Sequence, residues 1–567
     1  MQKVVRGLQG LAALLSFGRQ PKFKVQAYER AALVVETVGA ELAALVEQNR
    51  LRELQGIGDT LARQIHELWN TGSSAFLQKL RSESPPGAEQ LIRVPSLTPK
   101  RIRSLHDRLG ISSVEELRTA CLEQRVQTVP GFGAKTEARL LQACERWLSR
   151  SSDDAPQPLL LSRGLEVAEQ LRAVLAGVGR GEVAGALRRG EETVSELDLV
   201  VLGEREPALS ALARLRQVLR IDRDNGLVYL ADRVTARVHL ATQANWGNVL
   251  VRATGDAAHV QALEALARAR GGSLDEPVFA SESALYEALG LACVPPELRY
   301  GDAALPEAAR GPFTELVTAA QLKGFVHCHT TYSDGKDSVL QMARAAHDLG
   351  MDYITITDHS PSAHYAGGVS LDRLKAQWDE IAAAQEQVPI RIFRGTESDI
   401  LSDGRLDYPD SVLERFELII ASIHARHRMT RDEMTRRIRS AMALPFFKIW
   451  GHGLGRILNH RPPVDCDVLS ILDALAAGGG AVELNSDPHR LDLPPAWIPA
   501  ARERGIPFVI SVDAHSTRGL AVSHFGVTMA RRGGLTAHEV LNTLCTAEFA
   551  ARVCPGMSRA LPVIPES

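Results

Sequence analysis

The stretch FVHCHTTYSDG, residues 325–335, decides how the last part of the chain is interpreted. A short apolar run leads into His327 and His329, which are separated by Cys328. Because successive side chains of a strand point to opposite faces, the two imidazoles project from the same side and the thiol from the other. Asp334 follows a few residues later. The stretch predicts a strand whose carboxyl end carries side chains of the kind that bind metal ions.

The same arrangement recurs along the rest of the chain. Apolar runs that end in histidine or carboxylate residues, each followed by helical sequence, are YITITDHS (353–360), IFRGTESDI (392–400), LIIASIHARH (418–427), FKIWGHG (447–453), AVELNSDP (481–488) and FVISVDAHS (508–516). This alternation predicts parallel strands covered by helices, as an open sheet or a barrel, in which the carboxyl ends of the strands meet on one face. We therefore expect these candidate ligands to converge: His327, His329, Asp334, His359, Glu397, His424, His452, Asp513 and His515.

This set of residues predicts a metal-dependent hydrolytic site. Imidazole and carboxylate suit divalent ions of manganese, iron and zinc. About nine ligands can hold two or three ions, which bind a phosphodiester, generate hydroxide near neutral pH and stabilise the leaving oxygen. A single histidine at a strand end is usually structural, so the prediction depends on the repetition. Arg456 and Arg490, near strand ends, are candidates for binding non-bridging phosphate oxygens, although arginines there also pair with carboxylates.

Length and composition constrain the organisation of the chain. At 567 residues it is too long for one core, and we expect domains at 1–150, 159–312 and 320–567, with the polar linker SRSSDDAPQP at 149–158. The formal net charge is −3, but the first domain has an excess of basic groups, as expected for polyanion binding. The seven cysteines include no C-x-x-C pair, which favours reduced thiols in a cytoplasm. No apolar run reaches the length of a membrane span.

Several of these motifs resemble a known family. HCHTTYSDG, ITDHS, GTESDI, ASIH, GHGLGR and SVDAHS resemble the motifs of the polymerase and histidinol phosphatase (PHP) domain. Over nearly its full length the chain resembles bacterial family X DNA polymerases, and PPELRYGDA, LDYPDSVLERF, HRLDLPPAW and FGVTMARRGGL strengthen the match.

This resemblance implies a multidomain protein. An all-α helix-hairpin-helix region would precede an α+β nucleotidyltransferase core like that of DNA polymerase beta, followed by a distorted (β/α)7 PHP barrel. It also implies a trinuclear site, loaded with Mn²⁺ or alternatively Zn²⁺ or Fe²⁺, that acts as a 3′–5′ exonuclease. All nine ligand positions of the family are matched here.

The amino-terminal region contains two hydrophobic-x-Gly-hydrophobic-Gly segments, LQGIGDTLARQI (54–65) and VPGFGAKTEARLL (129–141). In a helix-hairpin-helix such glycines permit a tight turn whose backbone N–H groups face a DNA phosphate. The residues assigned to DNA binding are Gly56, Gly58, Gly131, Gly133 and Lys135. In VPSLTPKRIRSL (94–105), serine and threonine stand where the glycines would be, so we interpret it as a packing element.

The segment GALRRGEETVSELDLVV, residues 185–201, resembles the nucleotide-binding palm of the family with several departures. Gly185, Arg188, Arg189 and Asp198 match, but Ala186 replaces a serine, Glu196 replaces the first metal-binding aspartate and His239 stands at the third. One extra methylene moves a carboxylate by about 1 Å, and misplacement on this scale can cost about 100-fold in rate. A neutral imidazole brings no negative charge to a pair of Mg²⁺ ions. Arg252 and Ala253 replace the aromatic pair that flanks the nucleotide sugar.

The sequence thus predicts a monomeric, cytoplasmic phosphodiesterase that binds gapped or 3′-ended duplex DNA without sequence preference and acts in DNA repair. Its polymerase activity would be weak or lost, and nucleotide and palm Mg²⁺ or Mn²⁺ would bind only if that site still works. The alternatives are an active gap-filling family X polymerase with exonuclease activity, a PHP-type small-molecule phosphatase, and a non-enzymatic DNA-end scaffold.

Overall fold

The computed structural model describes residues 1–149, 157–425 and 429–554, so most of the predicted linker lies outside the described residues. Within these ranges the chain forms two compact units. The first is made from Met1–Gln157, Ala173–Gly181 and Gly203–Leu240, and the second from Pro158–Arg172, Glu182–Leu202 and Ala241–Ser567. The division into three domains at the boundaries given above stays a prediction.

Residues 1–149 form an all-helical region, as predicted. Its α-helices are α1 (Gln2–Phe17), α2 (Lys22–Val38), α3 (Leu42–Glu47), α4 (Asp59–Thr71), α5 (Ala75–Ser82), α6 (Ala88–Leu91), α7 (Pro99–Leu109), α8 (Val114–Leu122) and α9 (Ala134–Ser149). The apolar residues that recur at three- and four-residue spacing face one shared core, in which Leu8, Leu11, Ile65 and Leu105 are almost fully buried.

Three turns of this region share one backbone conformation. The turns precede α4, α7 and α9, and each has a residue with positive φ: Gly56 (83°), Ser96 (72°) and Gly131 (89°). The segment that we interpreted as a packing element therefore resembles the two glycine segments in having a positive φ at the matching position before its helix. A left-handed backbone costs a non-glycine residue about 1–2 kcal/mol. Two local hydrogen bonds offset that cost: Thr98 Oγ1 accepts from Arg101 N at 3.3 Å, and Arg101 donates to Ser96 O at 2.9 Å.

The central segment mixes helices and short strands. The helices are α10 (Leu161–Leu175), α11 (Gly185–Arg188), α12 (Arg205–Leu212), α13 (Trp246–Thr254), α14 (Ala257–Ala269), α15 (Glu282–Ala288) and α16 (Leu305–Ala308). The strands are β1 (Leu159–Leu160), β2 (Gly181–Ala184), β3 (Thr193–Val194), β4 (Glu196–Leu202), β5 (Val218–Asp222), β6 (Leu227–Leu230) and β7 (Thr235–Ala241). β5, β6 and β7 pair antiparallel in sequence order, and β1 pairs antiparallel with β3. The predicted mixed α/β core is confirmed.

The last part of the chain forms a parallel barrel, as predicted. Its seven strands are β8 (Gly324–Cys328), β9 (Tyr353–Ile356), β10 (Arg391–Asp399), β11 (Leu418–Ser422), β12 (Lys448–Trp450), β13 (Ala481–Asn485) and β14 (Phe508–Ser511). They are hydrogen-bonded in sequence order. The segment after β14 returns to β8, where Val512 N donates to Val326 O and Ala514 N to His327 O, each at 3.1 Å. The barrel is nearly closed, so the strands are buried on both faces and read as continuous apolar runs.

Helices surround the barrel: α17 (Val339–Asp348), α18 (Leu371–Gln385), α19 (Asp410–Leu413), α20 (Arg431–Met442), α21 (Val468–Ala477), α22 (Ile498–Glu503), α23 (Ser523–Arg532) and α24 (Thr546–Val553). α24 closes the amino-terminal end of the strands. Its Phe549 is fully buried and stacks on Tyr353, the first residue of β9, with ring centroids 4.6 Å apart. A site on this barrel must therefore open at the carboxyl ends of the strands.

Candidate metal centre

The nine candidate ligands gather at the carboxyl ends of the barrel strands. They form four overlapping groups, within each of which one nitrogen or oxygen atom per residue lies within 4.8 Å of the others. The groups are His329, Asp334, His359 and His515; His327, His329 and Asp513; His327, Glu397 and His452; and His359, Glu397 and His424. Each predicted residue belongs to at least one group. The structure therefore brings together side chains that are spread over residues 327–515 of the sequence.

The centre contains buried polar atoms that lack a hydrogen-bond partner in the described part of the chain. They are His327 Nε2, His329 Nδ1 and Nε2, and His452 Nδ1. A buried nitrogen or oxygen without a partner costs about 1–3 kcal/mol, so a cluster of such atoms is unfavourable in an empty pocket. Divalent cations would satisfy these atoms together. The donor set, histidine with carboxylate, fits a transition-metal ion.

Glu397 lies at the middle of the centre. Its carboxylate is 2.8 Å from His452 Nε2, 2.9 Å from His359 Nδ1 and 3.2 Å from His424 Nε2. His327 and His329 approach the same carboxylate at 3.4 and 3.6 Å. Burial opposes ionisation, but the surrounding imidazoles outweigh it and hold the pKa of Glu397 well below its usual value. If divalent cations bind at these groups, the ionised carboxylate of Glu397 would be one of the ligands that hold them.

Two carboxylates outside the predicted set orient the imidazoles. Glu483 Oε1 is 2.5 Å from His327 Nδ1, and the same carboxylate accepts a hydrogen bond from the backbone N of His452. Asp399 Oδ1 is 2.5 Å from His424 Nδ1. A carboxylate on one ring nitrogen fixes the tautomer, so the other nitrogen is left to bind a metal. Both residues lie within quoted strand ends, Asp399 in GTESDI and Glu483 in AVELNSDP, the one run that supplied no candidate ligand.

The backbone of the centre is strained at three of the nine positions. His327 has φ of 67°, His452 of 26° and Asp513 of 48°, all in the left-handed region that disfavours side chains with a Cβ. Such conformations persist where the surrounding structure holds them, and they cluster at functional sites. Here they occur at three of the candidate ligands, at or just after the ends of β8, β12 and β14.

The two candidate phosphate-binding arginines differ in how many of their N–H groups already have partners. Arg456 is buried, and its guanidinium donates to Arg490 O at 2.9 Å, to Leu491 O, and to Glu192 Oε1 at 2.9 Å. Arg490 points into the centre, with Nε 3.6 Å from Asp513 Oδ2, and its Nη1 is buried without a hydrogen-bond partner among the described residues. Of the two, Arg490 has a donor group available for a substrate at the centre.

The palm-like residues contact neighbours of the second compact unit. Arg188 makes a bidentate pair with Glu282 at 2.7 Å for both contacts. Arg189 donates to Thr254 O at 2.8 Å and pairs with Glu191. Arg252, at the position of the expected aromatic residue, is bound by Asp275 at 2.7 Å and Glu264 at 2.9 Å.

The predicted remnants of the palm metal site lie on two strands. Glu196 and Asp198 are on β4 with one residue between them, which puts both carboxylates on one face of the strand, and His239 is on β7. Gly185, with φ of 64°, packs so closely against Asp198 that an added Cβ would lie 2.1 Å from Oδ2. Ala186 supplies no hydroxyl at the start of α11.

The hairpin residues are accessible in the described structure. Gly58, Gly131 and Gly133 have open space where a side chain would begin, and Lys135 is exposed in the first turn of α9. These features fit backbone N–H groups that approach an external phosphate.

In the described residues, no helix combines the length and the apolar character that crossing a membrane requires.

Comparison with protein-family models matches three regions of the chain. A helix-hairpin-helix domain matches residues 2–74, and a SAM-like helix-hairpin-helix tandem matches residues 88–146. The tandem includes the turn at Ser96 as well as the one at Gly131. The PHP domain matches residues 326–487, which contain seven of the nine candidate ligands.

Curated proteins resemble this chain over different spans. A probable phosphatase of Thermoanaerobacter sp. is 25% identical over 229 residues, 38% of this chain and 89% of the relative. A probable histidinol-phosphatase of Deinococcus radiodurans is 28% identical over 206 residues, 31% of this chain and 79% of the relative. The DNA polymerase/3′-5′ exonuclease PolX of Bacillus subtilis is 31% identical over 560 residues, 95% of this chain and 96% of the relative. Because this last match extends over almost the whole of both chains, the protein belongs to the PolX family and carries a PHP domain on its seven-stranded barrel.

Proposed function

We propose that this protein is a DNA-binding, metal-dependent phosphodiesterase that removes nucleotides from 3′ ends during DNA repair. The observation that carries the proposal is the centre at the carboxyl ends of the barrel, where nine potential ligands converge around buried nitrogen atoms without partners among the described residues. The Bacillus subtilis relative is named a DNA polymerase/3′-5′ exonuclease, which supports the same reaction here. A cytoplasmic location and a monomeric state remain predictions.

The nine residues of the four groups are proposed to hold two or three divalent ions, with Mn²⁺ the proposed metal and Zn²⁺ or Fe²⁺ the alternatives. Bound there, such ions would lower the pKa of water, polarise the phosphodiester and stabilise the leaving oxygen. Glu397 remains ionised at neutral pH, and Glu483 and Asp399 hold the imidazoles of His327 and His424 in place. Metal affinity therefore depends on residues that do not themselves touch the ion.

Arg490 is proposed to bind a non-bridging oxygen of the scissile phosphate. Its side chain is 19% exposed and reaches Asp513 at the edge of the centre, and its Nη1 is buried without a hydrogen-bond partner among the described residues. A preorganised cation aimed at the reacting phosphate acts where negative charge develops and needs no rearrangement during the reaction. Arg456 is instead proposed to have a structural role, because its guanidinium holds the main chain at Arg490 and Leu491 in position.

DNA binding is proposed to come from the hairpins of the helical region. Their backbone N–H groups and Lys135 would contact phosphates, which carry no sequence information, so binding would be nonspecific and would weaken with salt. We include the turn at Ser96 in the proposed contact surface because its φ is positive at the matching position, like those of the two glycine turns. Gapped or 3′-ended duplexes are the proposed substrates.

Polymerase activity is proposed to be weak or lost. Arg189 is 9% exposed and already paired with Glu191, so a nucleotide phosphate would have to compete with a carboxylate of the same chain. Arg252 is likewise neutralised by Glu264 and Asp275. With the altered residues Ala186, Glu196 and His239, the palm lacks features that bind and activate a nucleotide.

A gap-filling polymerase and a small-molecule phosphatase are the two alternative functions. The name of the Bacillus subtilis relative and the retained Asp198 favour an active gap-filling polymerase that also has exonuclease activity. Small-molecule phosphatase activity is favoured by the relatives named probable phosphatases, which match part of the chain. The helical hairpin region distinguishes this chain functionally from a phosphatase, because a small phosphate ester needs no DNA-binding surface.

Incubation with a 5′-labelled primer on a one-nucleotide gap, Mn²⁺ and nucleotides separates nuclease from polymerase. We expect the parent protein to shorten the primer and His329→Ala to leave its length unchanged, because His329 belongs to two of the ligand groups. Because His329→Ala should lack the nuclease activity, any primer extension by the palm would not be removed again. Primer extension by this variant, abolished when Asp198→Ala is added, would overturn the proposal for the palm and support the gap-filling polymerase.

Metal binding is expected to release protons and to strengthen as pH rises. In the metal-free protein, burial lowers the pKa of His424, but Glu397 and Asp399 outweigh this effect and raise the pKa to about 9. Burial likewise lowers the pKa of His515, and Asp334 and Asp513 raise it to about 9. Both imidazoles are therefore protonated at neutral pH and must lose a proton before they bind a metal. The apparent affinity should increase until the pH reaches about 9 and then level off.

Calorimetric titration with Mn²⁺ in buffers of different ionisation enthalpy measures this proton release. Asp399→Asn serves as the matched variant, since it removes a charge that raises the pKa of His424. We expect fewer released protons and an affinity that is about 10- to 100-fold lower, the usual cost of losing such a partner. An affinity independent of pH between 7 and 9 would contradict the assignment of these histidines as ligands.

Arg490→Ala is expected to lower kcat/KM for a 3′ DNA end by about 100- to 1000-fold, the effect of removing one donor that stabilises a reacting oxygen. Its metal content and thermal stability should stay close to those of the parent. Arg456→Ala is the matched control, and there we expect a lower Tm because buried carbonyls and Glu192 lose their partner. If Arg490→Ala instead loses bound metal, Arg490 orients Asp513 and does not bind phosphate.

A further inference from the structure

An exposed aromatic side chain stands beside the metal centre. Tyr365 is 63% exposed, among the largest exposed fractions of any bulky apolar or aromatic residue in the described chain. Its ring centroid is 6.0 Å from that of His359 and 6.0 Å from that of His424. These two histidines and Glu397 form one of the four ligand groups. A molecule bound at this group would therefore lie next to the face or edge of the Tyr365 ring.

The segment that carries Tyr365 is tightly held. Tyr365 lies in the short 3-10 turn His364–Ala366, between β9 and α18. Beyond the turn, Gly368 packs against Ser360, where an added Cβ would lie 1.9 Å from the carbonyl oxygen. Val369 N donates to His359 O at 2.8 Å, and Tyr408 Oη donates to Val369 O at 2.5 Å. The ring is thus exposed on a backbone that is fixed from both sides.

One carboxylate joins this segment to the metal centre. Asp399 Oδ1 is 2.5 Å from His424 Nδ1, and Asp399 Oδ2 accepts a hydrogen bond from Ser362 Oγ at 2.8 Å. Ser362 N also donates to Asp407 Oδ2 at 2.6 Å. The side chain that orients His424 therefore also sets the position of the segment that carries the exposed ring. This arrangement gives Tyr365 a defined position relative to any phosphate at the centre.

We propose that Tyr365 is a positioning residue, on whose ring the base of the 3′-terminal nucleoside packs while its phosphodiester lies at the metal centre. The inference rests on the proposed function and deepens it by assigning the nucleoside side of the substrate. A rigid, exposed aromatic ring next to a polar site suits a nucleobase, since every base has a π-face and stacking is tolerant of sequence. A phosphate ester without an aromatic group gains no base stacking from the ring, so the residue favours nucleotide ends over such esters.

Two 5′-labelled strands test this role: one ends in a normal 3′ nucleotide and the other in a 3′-terminal tetrahydrofuran residue that lacks a base. We expect Tyr365→Ala to lower kcat/KM for the normal end about 10-fold, mainly by raising KM. The kcat/KM for the end without a base should stay unchanged. Tyr365→Phe and Tyr365→Trp should retain the parent's preference because they keep the ring. Leu371→Ala, which removes another exposed apolar side chain at the start of α18, is the matched control and should change neither substrate.

Binding without hydrolysis gives an independent measurement. A DNA strand with 2-aminopurine at its 3′ end is titrated into the His329→Ala protein, and we expect its fluorescence to be quenched by stacking. Adding Tyr365→Ala to that background should remove the quenching, while Tyr365→Phe should preserve it. Equal loss of activity on both ends, failure of the Phe variant to restore the preference, or quenching unaffected by Tyr365→Ala would each overturn the inference.

The outcomes also separate this inference from the function on which it rests. If the parent shortens neither strand while quenching still depends on residue 365, the exonuclease proposal fails and the contact between the ring and the base stands. If the parent shortens both strands equally well and the variants do not differ, the exonuclease stands and the role of Tyr365 is wrong.

Discussion

The buried carboxylate of Glu397, surrounded by histidine side chains, is the interaction on which the centre depends. Transferring a lone carboxylate from water into a protein interior is costly, and here the imidazoles of several strands keep it ionised. Several imidazole nitrogen atoms remain buried without hydrogen-bond partners among the described residues, and a bound cation would satisfy those that carry a lone pair. The arrangement fits a cation-binding site at the end of the barrel where residues from distant parts of the sequence meet.

The rest of the barrel helps to bring the candidate ligands together at the carboxyl ends of the strands. α24 and Phe549 close the opposite end of the strands, so the polar residues open to one side only. Left-handed backbone conformations occur at three of these candidate ligands, His327, His452 and Asp513, at some conformational cost. Asp399 then connects His424 to the segment of Tyr365. The contact that orients this candidate metal ligand therefore also holds the segment that carries the exposed ring.

Much of this fold and centre could be predicted because it follows from topology. Parallel strands that alternate with helices bring their carboxyl ends together, so the residue types at those ends were enough to identify all nine members of the four groups. The orienting roles of Glu483 and Asp399 were not predictable, since spacing does not determine which carboxylate meets which imidazole nitrogen. Arg456 illustrates the same limit, because one of its partners, Glu192, is 264 positions away in the sequence. The positive φ at Ser96 was not predictable from the spacing alone, because the hydrogen bonds of Thr98 and Arg101 that support it are visible only in the structure.

Glu397 also offers the most direct test of the account. Glu397→Gln keeps the size of the side chain but removes the charge that two ligand groups share. Elemental analysis of the purified full-length protein, with the parent measured alongside, gives the number of metal ions per chain. We expect more than one ion per chain in the parent and a marked loss in the variant, with both proteins folded. Equal metal content in parent and variant, or a parent without bound metal after exposure to Mn²⁺, would contradict the claim that this barrel is built around a multinuclear metal centre.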